Sequence, residues 1–121
     1  MGYQERTVQA GHRTLYGYYL DQGSADTLLL IPGSYTSHAI WKPVVESADI
    51  PANIFLAELP GFGKSRPKEP DSTIEEIAAS ILKLIDGAGI GRFYAGGHSI
   101  GGMVATEMLD VARYCLQDRL Q

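Results

Sequence analysis

The sequence predicts an α/β fold, with a mostly parallel sheet of about five strands, an N-terminal antiparallel hairpin and three flanking helices. Short apolar runs at residues 28–31 and 53–58 are typical of strands that are covered on both faces. A segment at residues 74–85 instead repeats its apolar residues at the helical period. Because strands and helices alternate along the chain, we expect parallel pairing through right-handed crossovers.

The N-terminal half supplies most of these elements. Strands are predicted at residues 3–9 and 12–20, where threonine, valine and tyrosine surround a turn at Ala10-Gly11. A first helix is expected over residues 36–48, with an interruption near Pro43. Residues 60–71 hold three of the six prolines and are expected to form a loop.

The second half adds two helices and one strand. The second helix is expected to start at a capping box formed by Ser72 and Glu75, and to end at Gly87 and Gly89. Strand 92–96 follows, and the last helix is expected to start at Ser99 and extend towards residue 121. Neither glycine nor proline occurs after residue 102 to stop it.

Composition narrows the class of protein. The chain has 121 residues, which predicts a single domain over residues 1–121. Its formal net charge of −4 argues against a nucleic-acid or anionic-membrane partner. One cysteine, Cys115, excludes an internal disulfide framework and a Cys-rich zinc site. With neither a signal peptide nor an apolar run of membrane-spanning length, a cytoplasmic location is the expectation.

No cofactor or metal is expected, because the two glycine-rich stretches that suggest nucleotide binding fail on spacing. Gly63-Lys64-Ser65 resembles the end of a phosphate-binding loop, but Glu58 stands where the first glycine is required. The glycines at positions 87, 89 and 91 lack the dinucleotide spacing and precede a strand rather than a helix. The sequence also contains no cluster with metal-ligand spacing.

The pentapeptide Gly97-His98-Ser99-Ile100-Gly101 lies between a predicted strand and a predicted helix. Gly-x-Ser-x-Gly in that context is typical of a nucleophile elbow, a strained turn that lifts the serine above the sheet. Side chains at positions 97 and 101 would collide with the neighbouring helix and strand. Ser99 would stand at a helix N-terminus, where the free N–H groups favour developing negative charge.

Together with two further motifs, this pentapeptide resembles the α/β-hydrolase fold family, in its serine esterase and lipase-like branches. Residues 31–34, Ile-Pro-Gly-Ser, look like the family's oxyanion loop with Pro32 in place of histidine. Residues 58–65 look like its Asp-x-x-Gly-x-Gly-x-Ser turn with Glu58 in place of aspartate, and Trp41 falls where the family often has an aromatic. The resemblance covers roughly residues 3 to 110, the N-terminal half of the usual fold, without the C-terminal half or a cap.

The resemblance implies a catalytic site. Ser99 would be the nucleophile, and the backbone N–H groups of Ser34 and Ile100 would form the oxyanion hole. The family's acid and histidine follow the nucleophile in chain order, but no histidine follows Ser99 here. Candidate general bases are therefore His38 first, His98 as a weaker alternative because neighbouring strand residues point to opposite faces, and His12 last. A base from another copy of the chain is a further possibility.

Three interpretations stay open. The favoured one is a serine hydrolase acting on short-chain or aryl carboxylic esters, with a small-molecule ester as its partner. The alternatives are an inactive, truncated hydrolase remnant and a non-enzymatic binding module. Serine at the apex excludes the branches that use aspartate to open epoxides or remove halides.

Self-association is also expected, as a homodimer or a larger homo-oligomer. Strand 92–96 would present an unprotected edge, which favours pairing with another chain. The last helix would add an apolar stripe, formed by Met108, Val111, Ala112, Cys115 and Leu116.

Overall fold

The computed structural model describes residues 2–10, 13–33, 37–59 and 73–109. Its sheet contains five strands, β1 (Gln4–Ala10), β2 (Arg13–Leu20), β3 (Thr27–Ile31), β4 (Asn53–Ala57) and β5 (Phe93–Gly97), in the spatial order β1-β2-β4-β3-β5. The helices are α1 (Lys42–Ser47), preceded by a 3₁₀ helix at His38–Trp41, α2 (Ile74–Gly87), and α3, which is helical over residues 100–109.

The pairing of the strands confirms the predicted fold class and refines it. β1 and β2 form the expected antiparallel hairpin, and β3 pairs in parallel with both β4 and β5. β2 also pairs antiparallel with β4, so the sheet is mixed and its parallel part consists of β4, β3 and β5. Since the carboxyl ends of these three strands meet at one edge, the segments that follow them are brought together there.

The core explains why β3 and β4 read as continuous apolar runs. One face of the sheet packs against α2 and α3, and the other packs against the 3₁₀ helix and α1. The core between the first face and these two helices contains residues that are all at most 2% exposed: Leu15, Leu29, Ile31 and Phe55 from the strands, and Ile81, Leu84, Val104 and Met108 from the helices. On the second face Leu30, Ile54 and Leu56 pack against residues such as Tyr18, Trp41 and Val45. None of the described helices has both the length and the apolarity that a membrane span needs.

Two helix starts differ from the sequence prediction. Pro43 lies in the first turn of α1, where its missing N–H costs no hydrogen bond; α1 starts at Lys42, and the predicted helix is divided just before Pro43 into the 3₁₀ helix and α1. The capping box of α2 is formed by Thr73 and Glu76, one position later than predicted. The chain offers glutamates at both 75 and 76. With Thr73 as N-cap, the helix begins at Ile74, and its later residues Ile77, Ala78 and Ile81 are buried against the sheet.

β5 forms one edge of the described sheet. It pairs with β3 on one side, and no other described strand pairs with its second side. Beside this edge runs an apolar groove of about 480 Å³, lined chiefly by Phe93, Tyr94, Ala95, Ala105, Met108 and Leu109. Met108, which was predicted as part of an uncovered apolar stripe, is instead buried in the core at 2% exposed, because α3 packs on the sheet. The stripe residues beyond residue 109 lie outside the described residues.

Candidate active site

Ser99 stands at the apex of a tight turn between β5 and α3. Its φ of +58° lies in the left-handed region, and it is the one non-glycine described residue with a positive φ. Such a conformation is costly for a residue with a side chain and persists only where the surroundings impose it. The side chain is exposed, so the strained turn presents a hydroxyl to solvent.

The two glycines of the motif allow backbones to approach closely on either side of Ser99. A Cβ added at Gly97 would lie 2.1 Å from the carbonyl carbon of Gly101, in the first turn of α3. A Cβ added at Gly101 would lie 2.4 Å from the carbonyl oxygen of Ile31, at the end of β3. Because both clashes are with backbone atoms, no side-chain movement relieves them. The collisions expected from the sequence are therefore present on the helix side and on the strand side.

The turn is joined to the end of β3. The backbone N–H of His98 donates to the carbonyl oxygen of Ile31 at 3.1 Å. A Cβ built on Gly33 would lie 2.9 Å from Nδ1 of His98 and 3.5 Å from Cβ of Ser99. Gly33, just after β3, thus packs directly against the serine turn.

Two backbone donors were predicted for the oxyanion hole. Ile100 is the first helical residue of α3, and its N–H donates no hydrogen bond within the described residues, as expected in a first helical turn. The next N–H groups are occupied: Gly101 donates to His98 at 2.9 Å and Gly102 donates to Ser99 at 3.0 Å. Ser34 lies outside the described residues, although Gly33 before it contacts the turn.

His98 lies beside the serine but is not bonded to it. Its side chain is exposed rather than buried in the core, and its ring approaches the backbone at Gly33. No hydrogen bond connects the Ser99 hydroxyl with an imidazole among the residues that the structure describes. His12 lies outside them.

His38 is engaged elsewhere. Its Nδ1 and its backbone N–H both lie 2.5 Å from Oε1 of Glu58, directly after β4, and its ring stacks on Tyr18 of β2. β3 separates β4 from β5, which corresponds to a lateral distance of about 10 Å at ordinary strand spacing. The described contacts therefore join Gly33, His98 and Ser99 in one group, and His38, Glu58 and Tyr18 in another. The role of His38 as general base stays a prediction.

Comparison with known proteins agrees with this arrangement. The family model of the alpha/beta hydrolase fold matches residues 26–121. The chain belongs to the alpha/beta hydrolase family. The match covers the strand β3, the loop after it, and the serine turn.

Two relatives of this chain are named as hydrolytic enzymes. A pimeloyl-[acyl-carrier protein] methyl ester esterase of Vibrio vulnificus is 33% identical over 91 residues, which are 75% of this chain and 34% of the esterase. An (E)-2-((N-methylformamido)methylene)succinate hydrolase of Acinetobacter baylyi is 26% identical over 102 residues, 84% of this chain and 38% of that enzyme. The chain spans about a third of the length of these curated relatives.

Solved structures give the same family. The structure of an N-acyl homoserine lactonase, complexed with N-hexanoyl homoserine, superposes with a TM-score of 0.77 at 28% identity, over 93% of this chain and 41% of the lactonase. The fold described above thus has a counterpart in a larger enzyme structure.

One pair of residues was missed by sequence reasoning. Glu58 was noted only because it replaces an aspartate, and His38 only because it is a histidine near the oxyanion loop. A charged residue at the end of a buried strand was the available signal, because a buried carboxylate needs a donor. The sequence did not indicate which donor, 20 residues away along the chain, would meet it.

Proposed function

We propose that this chain is a serine hydrolase that acts on carboxylic esters with short acyl chains or aryl leaving groups, with Ser99 as nucleophile. One observation carries the proposal: an exposed serine at φ +58°, held in its turn by backbone contacts at Gly97 and Gly101. A strained backbone over-determined by its surroundings is typical of functional sites. Membership of a hydrolase family supports it further.

The proposed reaction has two steps. The Ser99 hydroxyl oxygen attacks the ester carbonyl carbon, its proton passes to a base, and the alcohol leaves with that proton as the acyl-enzyme forms. Water then attacks the acyl-enzyme, releases the acid and regenerates the serine. The N–H of Ile100, with that of residue 34, would stabilise the oxyanion of each tetrahedral intermediate.

The choice of substrate class has two supports. The names of two relatives, a methyl ester esterase and an N-acyl homoserine lactonase, describe enzymes that cleave acyl–oxygen bonds. Activated aryl esters need the least protonation of the leaving group, which suits a serine to which none of the described histidines is bonded. An oxyanion hole with substrate binding alone leaves about 10³- to 10⁴-fold acceleration over water.

The test of the nucleophile is Ser99→Ala measured against Ser47→Ala. Ser47 is an exposed serine at the end of α1, so its loss controls for removal of a surface hydroxyl. With an activated aryl ester, Ser99→Ala should fall to the background rate while Ser47→Ala keeps the wild-type rate. A fluorophosphonate probe should label the wild-type chain at Ser99. Equal turnover by the two variants would show that the nucleophile is wrong, and turnover by neither the wild type nor the variants would favour an inactive remnant or a binding module.

The base is tested by comparing His38→Ala with His98→Ala. Removal of a general base should lower kcat by about 10²-fold or more and abolish the corresponding limb of the pH–rate profile. His98 lies beside Ser99, whereas His38 is bonded to Glu58 and was the first candidate from the sequence. The two variants therefore show whether the base is the histidine nearest Ser99 or the one that the sequence favoured. If both variants keep the wild-type profile, the reaction depends on the oxyanion hole alone or on a base outside the described residues.

A further inference from the structure

The outer side of β5 has a defined pattern of hydrogen-bonding groups. The N–H of His98, directly after the strand, donates to the carbonyl oxygen of Ile31 in β3 at 3.1 Å. Successive residues of a strand turn their backbone N–H and C=O groups to opposite sides, so the residues two and four positions before His98 also face β3. The backbone groups of Phe93 and Ala95 therefore point away from β3, towards the side on which no described strand pairs.

This outer side of β5 lacks the features that keep an edge strand from pairing. Unpaired N–H and C=O groups at the edge of a sheet are a template for another strand, and monomeric proteins protect such edges with charged side chains, prolines or bulges. Between Phe93 and Gly97 the strand carries neither a charged residue nor a proline, and Tyr94 and Ala95 are exposed. Within the described part of the chain, the edge of β5 is therefore open to pairing.

The residues of β5 are complementary to a second copy of the same strand. Its sequence, Phe93-Tyr94-Ala95-Gly96-Gly97, has two aromatic residues before the central alanine and two glycines after it. In an antiparallel pair centred on Ala95, the rings at positions 93 and 94 lie opposite the glycines at 97 and 96, which have no side chain to obstruct them. The residues that exchange hydrogen bonds in this register are 93 with 97 and 95 with its own copy, and these are the outward-facing ones. A register centred on residue 94 or 96 would pair only three of the five residues.

The surface beside this edge is compatible in charge with its own copy. A two-fold interface places a patch against the same patch, so an unneutralised charge would meet its equal. Arg92 is the charged residue that lines the groove, and it forms an ion pair with Asp26, with 3.1 Å between Nε and Oδ1. On α3, Ala105 and Leu109 line the groove, whereas Glu107 falls on the opposite side of the helix. The groove thus adds apolar surface to the edge without adding like-charge repulsion.

We propose that the free edge of β5 binds a second copy of this chain, in a two-fold antiparallel pair centred on Ala95 that joins the two sheets into one continuous sheet. The occupant is a second copy rather than an unrelated strand, because a two-fold axis at Ala95 brings each aromatic residue opposite a glycine and each outward N–H opposite an outward C=O. The inference concerns assembly, so it does not depend on the proposed function of Ser99.

Amide hydrogen exchange at single-residue resolution tests the register in the unmodified chain. The amides of Tyr94 and Gly96 face β3, so they should be protected at every protein concentration. Those of Phe93 and Ala95 should exchange rapidly at low micromolar concentration and about tenfold or more slowly at high concentration, where the second copy is bound. Sedimentation of the same samples should show the change from one copy to two. The inward-facing amides are the internal control, since they lie in the same strand.

Ala95→Pro against Ala95→Ser tests the same edge by mutation. Proline removes the outward N–H at the centre of the proposed pair without removing a bond to β3, and edge strands tolerate proline at such positions. Serine keeps the N–H at a similar size. Ala95→Pro should stay monomeric at concentrations where the wild type and Ala95→Ser are dimeric. Melting curves show whether each variant folds, and Tyr94→Lys changes the exposed side chain of the same edge without changing the backbone.

Four results would overturn the inference. The first is a monomeric mass for the wild type at every concentration. The second is a dimer that persists in a folded Ala95→Pro variant and in Tyr94→Lys. The third is a dimer in which the amides of Phe93 and Ala95 gain no protection, because the copies would then meet elsewhere. The fourth is protection of these two amides in the monomer, which would show that another part of the same chain covers the edge.

Discussion

Replacement of Gly101 by alanine tests the close approach of backbones that shapes the serine turn. The added Cβ would lie 2.4 Å from the carbonyl oxygen of Ile31 and 2.7 Å from that of Pro32. Ordinary contacts begin at 3.4 Å, so α3 and the end of β3 would have to separate by about 1 Å. Overpacking of this kind costs about 1–3 kcal/mol in the free energy of unfolding. A shift of about 1 Å at the nucleophile should lower kcat/KM by about 10²-fold.

Gly102→Ala is the matched control, one residue further along the same helix. A Cβ there would meet its nearest atom, the carbonyl oxygen of Gly97, at 3.5 Å, an ordinary contact. Both variants gain about 0.5–1 kcal/mol from replacing a helical glycine, so the difference between them isolates the clash.

The assays are thermal unfolding, ester turnover and the rate of fluorophosphonate labelling. Gly101→Ala should melt at a lower temperature than Gly102→Ala, by about 4 °C for each kcal/mol of difference. It should also label more slowly, whereas Gly102→Ala should label at the wild-type rate. If Gly101→Ala matches Gly102→Ala in melting temperature and in labelling, the close contact between α3 and β3 is not needed and the reasoning is refuted.

Two further predictions concern the scaffold. Thr73→Ala removes the acceptor that caps α2 and should cost about 1 kcal/mol of stability in thermal unfolding, while Thr73→Ser keeps the acceptor and should be nearly neutral; equal melting curves for the two would contradict the capping role. The chain is expected to self-associate through the edge of β5, and light scattering at micromolar concentration should report a dimer or larger species that Tyr94→Lys, at an exposed position of that edge, dissociates. A monomeric mass for the wild type would contradict that expectation.

The sequence predicted the fold because its strongest signals are local. β3 and β4 are short apolar runs bounded by turn residues, and such runs are typical of covered strands. The position of Ser99 was predictable for the same reason, since the glycines that permit the turn lie within two residues of it. The antiparallel pairing of β2 with β4 was not predicted, because periodicity within a strand does not say which neighbour it takes.

The same distinction explains the parts of the site that were missed. The bond between His38 and Glu58 joins the segments after two different strands, and no local pattern encodes it. The first residue of α2 was also not fixed by the local sequence. Thr73 and Ser72 are both good caps with a glutamate three positions later, so the local sequence does not choose between them, and the structure has Thr73 as the N-cap.

The spatial order of the strands has a consequence for the course of folding. β1 and β2 are antiparallel neighbours separated by only two residues in the sequence, so their hairpin can form within microseconds of its synthesis. β3, by contrast, pairs with β5, and Thr27 and Phe93 are separated in the sequence by α1, β4 and α2. Pairings between residues far apart in the chain carry a large loop-closure entropy and slow the rate of folding. The turn that holds Ser99 depends on this last pairing, so the end of the sheet beside Ser99 should be the latest of the described parts to become ordered, and the first to be lost when β5 detaches.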